Sequence, residues 1–215
     1  MVSRRDTETR RDTARPHAVI VAGPNGAGKS TLAPKLLAKE FGDRIYVNLD
    51  VIAQGLAGFD PVSAGIRAGR IMHERLEELR DERADFAVES TISGRSLQRV
   101  IQKLVESGYR ILLVYLWLPK PDLAIERVRN RVRLGGHDVP EADVRRRFYR
   151  SVVNFEKVYR RITHEWRVYH ALHPLDEPEP RLIAHGVGDA TATILDEDAW
   201  LQIQQQVDAH LGDEE

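Results

Sequence analysis

Gly23-Pro24-Asn25-Gly26-Ala27-Gly28-Lys29-Ser30-Thr31 places three glycines, a lysine and two hydroxyls at the spacing G-x-x-x-x-G-K-[ST]. A stretch of this kind does its chemistry mainly with its backbone. The glycines let consecutive N–H groups turn inward on phosphate oxygens, and the helix that follows aims its positive end at the same place. Lys29 then reaches the β- and γ-phosphates, and the Ser30 hydroxyl takes one position on Mg²⁺. The flanks agree with that reading, because the apolar run Ala18 to Ala22 enters the loop and a helical pattern through Leu36 and Leu37 leaves it. The chain binds a nucleoside triphosphate, with ATP and Mg²⁺ as the expected cofactors.

Two acids follow apolar runs. Arg44 to Asn48 reads as a strand that runs into Leu49-Asp50, and Asp85 to Glu89 as a strand that runs into Ser90-Thr91. In open parallel sheets, ligands sit beyond the carboxyl ends of the strands. Asp50 there can accept the proton of a hydroxyl attacking the γ-phosphate, or cap the helix beginning near Val51-Ile52. Glu89 sits where a carboxylate faces Mg²⁺ or its waters, and it can equally, with Thr91, bind substrate hydroxyls. Arg67, Arg70 and Glu74 share one face of a helix over 64–80. Such a face is usually solvated, and Arg70 is its candidate for touching substrate.

Eight arginines lie between residues 127 and 150, on two expected helices at about 122–134 and 140–158 hinged by Gly135-Gly136-His137-Asp138. Arg127 and Arg131 stack on one face of the first, over a buried stripe of Ile125, Val128 and Val132. The second buries Val144, Phe148, Val152 and Phe155 and leaves Arg145, Arg146 and Arg147 at its rim. Asp138 and Glu141 have the spacing of a capping box. Two uses compete for these arginines: a lid closing cations over the transferring phosphoryl group, or a nucleic-acid patch. Few aromatic residues interleave the basic ones and overall charge is balanced, 32 basic against 33 acidic residues, which favours the lid and makes nucleic acid an unlikely partner. Most of the eight are expected to pair with surface acids. Arg127 and Arg131 are the ones expected at phosphate, and His137 in the hinge is a weaker candidate.

The elements that must position these groups alternate strand and helix, the pattern of a mainly parallel sheet covered on both faces. Five to six strands are expected, at 18–22, 44–48, 85–89, 111–118, 166–169 and, at an edge, 181–184. The fourth, apolar on both sides, is expected to be central. Gly108 marks the end of a helix carrying Leu97, Val100, Ile101 and Leu104, and a last helix from Glu197 points Trp200, Ile203, Val207 and Leu211 at the core. The 215 residues read as a polar, flexible N-terminal arm over 1–16 and a single domain over 17–215, with 122–158 as its lid. The arm lacks the apolar stretch of a signal peptide, and no apolar run approaches the span of a bilayer. Cysteine is absent, which removes disulfides and thiolate chemistry and suits a cytoplasmic location.

Taken in order, the glycine-rich loop, Asn48-Leu49-Asp50, Phe86-Ala87-Val88-Glu89-Ser90-Thr91, Gly135 to Glu141 and Arg145-Arg146-Arg147-Phe148 resemble the zeta-toxin-like P-loop kinases, also labelled predicted ABC-type ATPases. The resemblance spans about residues 17 to 170. It implies a three-layer α/β/α P-loop kinase fold with an arginine-rich helical lid. It also implies ATP-dependent phosphorylation of a nucleotide sugar, UDP-N-acetylglucosamine, at the 3′-hydroxyl of the sugar, and an antitoxin protein as a possible partner. Carried over by motif, Asp50 is the general base, Glu89 and Thr91 bind the acceptor sugar, Lys29 and Ser30 hold phosphates and Mg²⁺, and arginines near the hinge steady the γ-phosphate. The family's second phosphate-binding arginine has no clear match, since Gly-Gly-His stands in that region, and Tyr169-His170 stands where an Asp-Asn-like pair is expected. Two other readings of the loop remain: an ATP-dependent switch acting through a protein partner, and a kinase of nucleic-acid ends. A transporter ATPase is disfavoured, because Thr91-Ile92-Ser93-Gly94-Arg95 is not a Gly-Gly-Gln signature.

Overall fold

Alternating apolar residues along five consecutive strands can be buried on both sides only if helices cover both faces of one sheet. The computed structural model, which describes residues 15–41, 45–56, 61–136, 138–171, 181–190 and 193–211, has that arrangement. Strands β1 (His17–Ala22), β2 (Ile45–Asn48), β3 (Phe86–Ser90), β4 (Arg110–Trp117) and β5 (Glu165–His170) are followed by β6 (Leu182–Val187) and β7 (Thr193–Ile194). They form one seven-stranded sheet in the order β2-β3-β1-β4-β5-β6-β7. The first five are mutually parallel, and β6 and β7 add antiparallel to β5. β4 is the middle strand, as its two-sided apolarity requires. The two-residue β7 escapes any periodicity argument, and it covers β6, which was expected to be the edge. The N-terminal arm lies outside the described residues apart from Arg15 and Pro16.

Period-two alternation divides the core. Ile20, Phe86, Val88, Ile111, Leu113, Tyr115 and Trp117 face one side, under α3 (Pro61–Asp81), α4 (Ser96–Glu106) and α8 (Glu197–Ala209). Val19, Val21, Ala87, Leu112, Val114 and Leu116 face the other, under α1 (Lys29–Phe41) and α5 (Pro121–Arg133). A short α2 (Leu49–Leu56) follows β2, and α6 (Glu141–Asn154) serves both sides. Val144 and Phe148 join the α1 side, while Val152, Val153 and Phe155 join the other. The helix expected over 140–158 continues from α6 through a π-helical turn (Phe155–Tyr159) into a final turn, α7 (Arg160–Ile162). In α8, Ile203 and Val207 are buried, but Leu211 is 45% exposed, because it lies beyond the last turn.

At the amino ends of the strands, His164 ties β4 to β5. Its Nδ1 accepts the Ile111 N–H at 3.1 Å, and its own N–H donates to the Ile111 carbonyl. Burial pulls the imidazole pKa below its ordinary value, with Arg110 and Arg15 adding to the effect and Glu165 opposing it. An imidazole that must stay neutral to accept contributes stability above its unfolded pKa of about 6.5, and that contribution is lost as pH falls. The melting temperature should therefore fall between pH 7 and pH 5, and His164→Asn, which keeps an acceptor but cannot titrate, should flatten that part of the curve. Identical pH dependence in the two proteins would exclude His164 as the cause.

Candidate active site

β1 is the strand at which the chain changes direction: it passes first to β2 and β3 on one side, then to β4 on the other. A crevice opens beyond the carboxyl end of such a strand, and the glycine-rich loop occupies it. Gly23 and Gly26 are required there by contact as well as conformation. Their φ angles are +145° and +75°, and a Cβ at Gly23 would lie 2.5 Å from the Leu116 carbonyl oxygen. At Gly26 it would lie 2.6 Å from the Ala124 carbonyl oxygen, so α5 is seated directly against the tip of the loop. Gly28 is also left-handed, at +80°, giving the alternation around Ala27 that turns backbone N–H groups to one side. Pro24, Asn25 and Ala27 complete the buried wall of the loop, and Thr31 is exposed on the first turn of α1. The Lys29 ammonium is 7% exposed and donates to the Gly23 and Pro24 carbonyls at 2.8 and 3.0 Å.

Around Glu89 the sheet builds a polar cluster. Asn48 pairs in register with Glu89, and Tyr46 with Ala87. Alternation then places Tyr46, Asn48 and Glu89 on the face covered by α1, whose second residue is Ser30. The Glu89 carboxylate, 6% exposed, accepts from Ser30 Oγ at 2.9 Å, Asn48 Nδ2 at 2.8 Å and Tyr46 Oη at 2.5 Å. An acid so buried is tolerated because three donors satisfy it. Asn48 also turns its Oδ1 to the Val51 N–H at 3.3 Å, the N-cap contact of α2. The cap expected of Asp50 is therefore supplied by Asn48. The Asp50 backbone is the second residue of α2, and its side chain lies outside the described part of the structure.

The loop after β3 is held in an unusual shape. Ile92, 1% exposed, has φ +47°, a left-handed conformation that costs a β-branched residue on the order of 1–3 kcal/mol. Ser90 Oγ accepts the Ile92 N–H, and the buried Asn154 amide donates to the Ile92 carbonyl at 2.9 Å. The result sets the Thr91 and Ser93 hydroxyls 2.9 Å apart just beyond Glu89. Arg67, Arg70 and Glu74 are exposed on α3, and Arg70 takes no part in the described hydrogen bonds around Glu89.

Among the arginines, Arg127 reaches the loop directly. Its guanidinium donates to the Gly26 carbonyl at 3.3 Å and the Ala171 carbonyl at 2.7 Å, and burial lowers its pKa from the ordinary arginine value. The Arg131 stem packs over the turn ending α5, where a Cβ on Gly136 would stand 2.5 Å from Arg131 Cγ. That turn closes with Gly135 N–H on the Val132 carbonyl and Gly136 N–H on the Arg131 carbonyl, the paired bonds of a Schellman cap. Here the glycines end a helix, and His137 between them and Asp138 lies outside the described residues. The expected capping box of Asp138 and Glu141 does not form: Pro140 is the N-cap of α6, and Glu141 pairs with Arg129. Arg145 pairs with Asp122 and Arg146 with Asp143, as expected of rim arginines.

Ser30 and Glu89 together offer hard oxygen donors beside the loop. Among the described residues no group of three or more His, Cys, Asp or Glu could enclose a metal ion. A cation that keeps several waters and shares its shell with phosphates, as Mg²⁺ does, is compatible with such a sparse donor set. Among the described residues, no helix is long and apolar enough to cross a membrane. Sequence reading missed two members of the cluster, Tyr46 and the side chain of Asn48; their i, i+2 spacing opposite Glu89 was the available signal.

Comparison with known proteins bears on this geometry. A family model described as zeta toxin matches residues 2–173. A Haemophilus influenzae protein described only as uncharacterized is 30% identical over 131 residues, which are 61% of this chain and 91% of the relative. Among solved structures, one from the PezAT chromosomal toxin-antitoxin system of Streptococcus pneumoniae superposes with a TM-score of 0.59 at 15% identity, covering 97% of this chain and 94% of its own. The AvrRxo1-ORF1:AvrRxo1-ORF2 complex, solved with ATP, gives a TM-score of 0.68 at 19% identity over 89% of this chain and 64% of its own. At these identities the structural likeness establishes a shared fold.

Proposed function

The chain belongs to the zeta toxin family and has the P-loop kinase fold, and on that premise we propose that it transfers the γ-phosphoryl group of ATP to an alcohol of a small molecule, with UDP-N-acetylglucosamine as the first candidate acceptor. The observation that carries the reading is the meeting of Ser30 and Glu89 at 2.9 Å where the glycine-rich loop begins its helix. The loop backbone and Lys29 cradle the phosphates, and Ser30 and Glu89 are the residues that would hold Mg²⁺. When bound, Mg²⁺ would supply neutralisation of the charge that develops during transfer. The acceptor oxygen forms its bond to the γ-phosphorus as the bond from that phosphorus to the β,γ-bridging oxygen breaks, and ADP leaves. Asp50 at the start of α2 takes the hydroxyl proton, and Arg127 and Arg131 stabilise charge on the transferring group. Thr91, beside Ser93, contributes a hydroxyl to acceptor binding, with Arg70 on α3 as a further contact.

Purified protein incubated with γ-labelled ATP, Mg²⁺ and a panel of nucleotide sugars, nucleosides and RNA ends tests this. Label is expected on the sugar of UDP-N-acetylglucosamine. Nucleotide binding without label on any acceptor would remove the transferase reading, and label on RNA ends alone would reassign the acceptor. The likeness to a protein from a toxin-antitoxin system supports an antitoxin-like protein partner for this chain.

A further inference from the structure

We propose that Asn48 is a positioning residue that locks the phosphate side of the site to the acceptor side, a role that rests on the transferase reading through Asp50. One buried amide, 7% exposed, makes contacts in two directions. Its Nδ2 donates to Glu89 Oε2 at 2.8 Å and lies 3.5 Å from Ser30 Oγ, so it touches both groups offered to Mg²⁺. Its Oδ1 accepts the Val51 N–H and thereby fixes the first turn of α2, on which Asp50 is the second residue. An N-cap needs only an oxygen, and serine, threonine or aspartate would serve as well. An amide carries its acceptor and its donor on separate atoms, so Oδ1 can cap the helix while Nδ2 reaches the carboxylate on the other side, a span that the single oxygen of a hydroxyl does not cover. The choice of asparagine at the end of β2 is thus explained by the bridge and not by the cap.

The physical consequence is a fixed register. In-line transfer requires the acceptor oxygen, the γ-phosphorus and the proton acceptor to be aligned, and a displacement of about 1 Å costs on the order of 10²-fold in rate. Glu89 is held to β3, Ser30 to the loop helix, and α2 to both through Asn48. If α2 shifts, Asp50 leaves its alignment while the nucleotide site is unchanged.

Two substitutions separate the bridge from the cap. Asn48→Ser keeps a capping oxygen but loses the amide nitrogen that reaches Glu89; Asn48→Ala loses both. Both are expected to lower kcat for the labelled transfer by about 10- to 100-fold, with affinity for an ATP analogue within about twofold of wild type, although only Asn48→Ala melts appreciably lower. Wild-type kcat in Asn48→Ser would overturn the proposal, as would losses that follow melting temperature and not the bridge.

A second readout needs no acceptor. Replacing Glu89 by alanine removes the Nδ2 anchor, and the Val51 amide should then exchange with solvent about tenfold faster or more. Glu89→Leu, which is of similar size and accepts no hydrogen bond, serves if the alanine variant does not fold. Unchanged Val51 exchange means that Asn48 is only a cap. If the wild-type protein labels no acceptor, the transferase reading fails, while the exchange experiment still decides whether the two sides are coupled.

Discussion

Glu89→Gln is expected to slow phosphoryl transfer by about 10²- to 10³-fold in a protein that remains folded. The buried carboxylate offers lone pairs on both oxygens and uses them on Ser30, Asn48 and Tyr46. Glutamine has the same shape but only one accepting atom, so one or more of these donors must rotate or lose its partner, at about 1–3 kcal/mol for each group left unsatisfied. That is a modest lowering of the melting temperature for a domain of this size. The larger effect is electrostatic. The negative charge beside Ser30 disappears, and with it the attraction for a divalent cation at the place where charge is neutralised during transfer. Raising Mg²⁺ should recover part of the rate, and ATP-analogue binding measured in EDTA should be nearly unchanged. An Mg²⁺ requirement identical to wild type would mean that Glu89 serves only to hold Ser30 and Asn48.

The carboxylate's surroundings also separate its duties from those of Asp50. A carboxylate whose oxygens already accept from Ser30, Asn48 and Tyr46 has little room left for an attacking alcohol. In the proposed mechanism the proton goes instead to Asp50 at the start of α2, which follows directly from the strand paired with β3.

The loop and Glu89 were legible in the sequence because each is tied to a local signal: a glycine spacing, or an acid just after an apolar run. The sheet followed for the same reason, since β4 is apolar from Ile111 to Trp117 and can only be central. What sequence reading could not give was contact between distant segments. Tyr46 looked like one more strand residue until the register of β2 on β3 set its hydroxyl on Glu89. Asn48 looked like part of a motif until both ends of its amide found partners.

The arginine-rich helices show the same limit. Periodicity identified their buried stripes except at Val132, which is 36% exposed because it lies in the last turn of α5, yet only tertiary packing reveals that Ala124 meets the tip of the loop and that Arg127 reaches the Gly26 carbonyl. The Gly135-Gly136 pair was read as a hinge, and its hydrogen bonds make it the cap of α5. Ile92 illustrates a feature with no sequence signal at all. Isoleucine disfavours left-handed backbone, so its φ of +47° is imposed by burial and by the bonds from Ser90 and Asn154.

Asp50 carries the second large expectation. Proton removal by a positioned side chain contributes about 10²- to 10⁴-fold, and Asp50→Asn keeps the size of the side chain while removing its ability to accept that proton. Since the N-cap of α2 is Asn48, the substitution leaves the helix start intact, and folding and nucleotide affinity should not change. The decisive measurement is the rate of label transfer from γ-labelled ATP to UDP-N-acetylglucosamine by the wild-type and Asp50→Asn proteins, with ATP-analogue affinity measured on the same samples. The expected result is a transfer rate lower by at least about 10²-fold at unchanged affinity. Equal rates in the two proteins would contradict the account.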